Sequence, residues 1–96
     1  MKIPKKIRVC GQDFSVFYKD VLFVDNQNLL GYCDVNKCEI YLKKGMRKEK
    51  RIEVFFHECI HAIDENMNLH LGENKVNHLT IHILSLIVNN GLDFLK

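Results

Sequence analysis

The chain is short of proline, of long apolar runs and of net charge, and each shortage excludes something. Its one proline, Pro4, lies ahead of every periodic segment and interrupts none of them. The longest apolar stretch near the C-terminus, Leu86 to Val88 with its neighbours, falls far below the ~20 residues that a membrane-spanning helix needs. A net charge of +2 is too small to point to a polyanionic partner. The opening "MKIPKKIRVCGQDF" carries charge with no apolar run behind it, so it does not read as a secretory signal. No repeat, low-complexity tract or linker divides the chain. The expected setting is therefore cytoplasmic, with no membrane partner and with reduced thiols.

What is present suits one small domain over residues 1–96, with residues 1–6 expected to be flexible. Apolar residues make up 47% of the 96, enough for a core and too many for a disordered chain. A domain of this size buries a limited share of its surface, so a bound metal would help to hold it together. Of the four cysteines, Cys59 falls in an apolar helical pattern and reads as a small core residue. Cys33 and Cys38 flank the turn-like "DVNK" and could face each other across a hairpin. One C-x4-C without a second pair is a weak zinc signal, so structural thiols are the favoured reading.

The two halves differ in period. Residues 7 to 43 alternate as strands do: Phe14, Val16 and Tyr18 against Ser15, Phe17 and Lys19, then Ile40 and Leu42 against Glu39, Tyr41 and Lys43. "DNQNLLG" reads as turn material between them, and Gly45 ends the pattern. Two helices follow, from about Arg47 to Met67 and from about Glu73 to Asn89, with Asn90-Gly91 as a stop. The fold class is thus α+β: antiparallel strands or hairpins, then two packed helices. The basic run "KKGMRKEKR" sits at a strand-to-helix junction with no aromatic residue interleaved, so nucleic acid is not an expected partner.

The chemistry concentrates in "FFHECIHAID", residues 55 to 64. His57 and His61, four apart on a helix, lie one turn apart and can grip one ion. Glu58 points about 100° further round, within reach of a water on that ion. The apolar residues Ile52, Phe55, Phe56, Cys59, Ile60, Ile63 and Met67 define a stripe that leaves both histidines off the core side. A solvent-facing pair would show the same pattern. A catalytic zinc site needs a third protein ligand. Among Glu73, His78 and His82, the second helix groups the two histidines with Ser85 and Asn89 on a polar face. Glu73 falls within its apolar arc, where an unpaired carboxylate is costly. The alternative for Glu73 is an exposed first-turn glutamate favoured by the helix dipole. Asn77 and Asp64 are candidates to orient these ligands by hydrogen bonds, and His70 and Tyr32 to stabilise an oxyanion.

On these residues the chain resembles the ImmA/IrrE-type zinc metallopeptidases, which pair H-E-x-x-H with a glutamate opening a following helix. The matching stretch runs from Glu73 to Thr80; Glu73 and Asn77 match, while Val76 and Thr80 stand where alanines are usual. The resemblance covers roughly residues 30 to 90 and implies a zincin-like domain. It implies Zn2+ on His57, His61 and Glu73, Glu58 as general base, and a protein or peptide substrate such as a phage or mobile-element repressor. Only eleven residues separate His61 from Glu73, fewer than in longer members. The strand over residues 38 to 43 is expected to offer its edge to an extended peptide. The competing expectation is a non-catalytic binding module stapled by zinc.

Overall fold

Two left-handed residues at a time close the first turns of the sheet. In the computed structural model, which describes residues 2 to 91, Cys10 and Gly11 (φ 51° and 78°) join β1 (Lys6–Val9) to β2 (Gln12–Lys19). Asp25 and Asn26 (φ 51° and 61°) join β3 (Phe23–Val24) to β4 (Gln27–Asn28). Paired positive φ values match the twist of flanking strands, and Asn, Asp and Gly tolerate them best. The "DNQN" stretch is therefore a small hairpin of its own. β5 (Gly31–Asp34), β6 (Glu39–Lys43), α1 (Lys48–Met67) and α2 (Gly72–Asn89) complete the order. The α+β class is as expected, with a sheet first and two helices after it. No helix among the described residues is long and apolar enough to cross a membrane.

The main sheet runs β1-β2-β6-β5, and it corrects two expectations. First, it is not wholly antiparallel: β2 and β6 are parallel, in register from Ser15↔Glu39 to Lys19↔Lys43. Parallel neighbours need a crossover, here supplied by the β3–β4 hairpin and β5, and no local pattern announces such a pairing. Second, residues 38 to 43 offer no edge, because β6 is paired on both sides. The free edge beside the helices belongs to β5. Near the N-terminus, the Lys5 carbonyl accepts from Val16 N–H at 2.8 Å, and Ile3 packs against the core.

Alternation decides the core. Phe14, Val16, Ile40 and Leu42 point to one face and meet Val54, Phe55, Cys59 and Ala62 of α1. Cys33 pairs in register with Ile40, while Cys38 lies in the turn (φ 53°), so the two thiols do not oppose each other. All four cysteines are free.

The side of α1 that is buried is shifted from the expected stripe. Val54, Glu58 and Ala62 are buried, whereas Ile63 and Met67 are exposed. The reason lies in β5. An added Cβ at Gly31 would stand 2.5 Å from Val54 Cγ1 and 3.1 Å from both Glu58 Cγ and Oε2. A residue without a side chain lets the strand close on that side of the helix. Gly31→Ala is expected to cost about 1–3 kcal/mol through overpacking, read by urea unfolding.

α2 packs on α1 rather than on the sheet. One neighbouring helix covers only part of its wide apolar arc, so Val76 and Thr80 are buried while Leu79, Ile83 and Leu86 stay exposed.

Candidate metal centre

The loop between the helices places the third ligand. α1 ends at Asn68 in the left-handed region (φ 53°), where asparagine is a common C-terminal residue. Leu69 N–H then donates to the Asp64 carbonyl at 3.1 Å, and Leu71 N–H to Asp64 Oδ1 at 3.2 Å. Asp64 therefore ties the turn back onto α1 and contacts neither histidine, a different task from the one expected of it. Gly72 (φ 81°) opens α2 in a conformation that favours glycine, and Glu73 follows.

Three side chains converge as a result. His57 Nε2 and His61 Nε2 lie 3.0 Å apart, one helical turn from each other. The Glu73 carboxylate spans them, with Oε1 2.8 Å from His57 Nε2 and Oε2 3.2 Å from His61 Nε2. Two imidazole nitrogens and a carboxylate aimed at one point form a group able to hold a metal ion. The spacing fits: a tetrahedral ion with ligand bonds near 2.0 Å sets its donor atoms roughly 3.3 Å apart. Burial lowers the pKa of His57, with the neighbouring His61 acting in the same sense and Glu73 against it. A neutral imidazole is the form that binds metal. Among the described residues no other group of three or more His, Cys, Asp or Glu side chains converges in this way.

A cleft of about 550 Å³ opens over the group, walled by β5, α1 and the first turns of α2. Glu58 stands in this wall, only 7% exposed, and among the described residues it has no ion-pair partner. Burial, with Glu73 nearby adding repulsion, pushes its carboxyl up to about 7. A carboxyl poised near neutrality suits a group that takes and returns protons.

The remaining candidates separate clearly. Asn77 lines the cleft one turn after Glu73. Tyr32 borders the cleft through its strand, but its ring stacks on Tyr41, 6.4 Å between centroids, on the face turned away from the helices. His70 is exposed in the loop (φ 54°) and is not part of the cleft wall. Neither is placed to meet an oxyanion at the metal group. His78 and His82 are exposed, with rings 6.4 Å apart, and belong to no such group.

The sequence alone did not single out Gly31, Lys50, Glu53 or Glu65, all of which line the cleft, nor place Cys33 there. They come from separate elements, and only the tertiary packing collects them. Lys50 and Glu53 pair at 2.8 Å at one end, a spacing of three on a helix that was readable in advance. Burial pushes the Cys33 and Cys59 thiols up to about 12, Glu58 adding to both, and neither sulfur belongs to the converging group. No family model, curated protein or solved structure matches the chain.

Proposed function

We propose that the protein is a zinc-dependent peptidase of zincin-like build, acting on an extended segment of a protein substrate. The observation that carries this reading is the conjunction of a three-ligand group with a buried, unpaired carboxylate next in sequence to the first ligand. His57, His61 and Glu73 would hold the ion. Zinc bound there supplies Lewis acidity toward a water and toward the scissile carbonyl. Glu58 takes the proton of the attacking water, keeps it on a carboxyl that burial favours in the neutral form, and delivers it to the departing amine. The free edge of β5 offers backbone groups to a substrate strand laid along the cleft. Gly31 keeps that edge close to Glu58.

A protein regulator such as a phage or mobile-element repressor is the substrate class that the family resemblance suggests. The test is incubation of the zinc-loaded protein with a library of unstructured peptides, read by mass spectrometry for new termini. Cleavage that stops on chelation and returns with zinc supports the reading. A library left intact under both conditions contradicts it.

One observation favours a second reading, a zinc-stapled binding module. α2 buries little beyond Val76 and Thr80, so an ion joining Glu73 to α1 would hold it in place without any reaction. Such a staple has no use for a buried carboxyl at position 58, and that residue separates the two.

A further inference from the structure

The cleft over the metal group is not electrically uniform along its length. α1 gives its wall Glu53, His57, His61 and Glu65, each four residues after the last, so they form one row along the helix. β5 runs beside that row in the same sense: Gly31 closes on Val54 and Glu58, and Cys33 lies two residues further on. α2 follows α1 through a short turn and runs back, carrying Glu73, Asn77 and Ile81 as a second row. The metal group therefore lies between two ends of different chemistry.

Toward the start of α1 the wall is paired and apolar. Lys50 and Glu53 neutralise each other at 2.8 Å, and Leu30 and Ile81 stand 42% and 52% exposed. Toward the other end stands Glu65. Among the described residues its carboxylate has no ion-pair partner. The wall holds no arginine and no lysine besides Lys50, so no fixed cation in it offsets Glu65. The remaining acids of the wall are occupied: Glu53 by Lys50, and Glu73 by the two histidines. Glu58 is buried, with its carboxyl pushed up to about 7. Burial raises the Cys33 thiol, with Glu58 and then Glu65 adding to it, so the Glu65 charge is felt across the cleft at β5.

We propose that Glu65 is a specificity-determining residue, selecting an extended peptide that places a lysine or arginine within about three residues of the bond over the metal group. The inference rests on the peptidase reading for what occupies the cleft. Reach sets the position. Glu65 stands one helical turn beyond His61, about 6 Å along the axis. A strand laid on the free edge of β5 advances about 3.3 Å per residue, and its alternate side chains face the same way. A residue two or so places from the reacting bond thus comes beside Glu65, and Lys and Arg are long enough to meet its carboxylate. An acidic side chain at that place meets like charge. Glu65 is exposed, so the preference is moderate, about three- to fivefold.

The test is fluorescence anisotropy on the zinc-loaded Glu58→Gln protein, in which peptides are expected to stay intact. The probes are labelled, unstructured peptides of one neutral sequence with Lys, Gln or Glu at the centre. The Lys peptide is expected to bind three- to fivefold more tightly than the Gln peptide, and the Glu peptide more weakly than either. The spread should narrow as salt rises. Adding Glu65→Gln should bring the Lys and Gln peptides level, and Glu65→Lys should reverse the order. His78→Ala, an exposed residue outside the cleft, should keep it. Cleavage of the same peptides by the zinc-loaded parent should follow the same order in kcat/KM. Peptides bound in this order but never cleaved would overturn the peptidase reading and uphold the selection by Glu65. Peptides cleaved without regard to charge would do the reverse. The proposal is also overturned if the three peptides bind alike, if none binds, or if Glu65→Lys keeps the parental order.

Discussion

Glu58→Gln is expected to leave zinc bound at one equivalent and to lower peptide cleavage by about a thousandfold. The side chains have the same shape, so the contacts that Glu58 makes beside Gly31 and Val54 are kept. Neither ligand nitrogen is touched. What disappears is the capacity to accept a proton from water and to hand it to the leaving amine. Stability should hold or rise, because burial already disfavours the charged carboxylate and the amide carries no charge. Steady-state cleavage of a fluorogenic peptide, with metal content measured on the same sample, reads both quantities. A variant that cleaves at the parental rate removes Glu58 from the mechanism, and loss of zinc together with activity would make it a structural residue.

Metal removal should change stability nearly as sharply. α2 is fastened to the rest of the protein by Val76, Thr80 and the Glu73 bridge to His57 and His61. An ion bound only by the folded state at a hundred times its dissociation constant stabilises by about 2.7 kcal/mol. For a domain of this length that moves Tm by roughly 10–20 °C. Thermal scans with excess zinc and with a chelator should differ by that amount. Glu73→Ala should lose most of the difference, since two imidazoles on one helix bind far more weakly than three converging groups. His78→Ala and His82→Ala should keep it. A chelator-insensitive transition in the parent protein would mean that the group contributes nothing to folding.

The helices were legible from the sequence to within a residue, Arg47 against Lys48 and Glu73 against Gly72, because their apolar period is long and Asn or Gly punctuates their ends. The β5–β6 hairpin was legible from the alternation of Ile40 and Leu42. The parallel pairing of β2 with β6 was not, since it joins segments separated by a whole hairpin and leaves no local trace. In the metal group, His57 and His61 follow from helical spacing, and Glu73 from its position on the wheel of α2. Two features were hidden for one reason. The burial of Glu58 depends on Gly31, and the tether made by Asp64 depends on the turn after Asn68. Both are set by a partner distant in sequence or by loop geometry, which periodicity does not encode. The exposure of Leu79, Ile83 and Leu86 was hidden similarly: an apolar arc shows what a helix can bury, not how much a single neighbour covers.

The Glu58→Gln and metal-removal expectations both require one divalent ion seated among two imidazoles and a carboxylate carried by different helices. Diffraction from zinc-grown crystals, collected on either side of the zinc absorption edge, locates that ion without assumptions about activity. The account requires a single strong anomalous peak about 2 Å from His57 Nε2, His61 Nε2 and a Glu73 carboxylate oxygen. A peak at His78 and His82 instead, or none near Glu73, would contradict it.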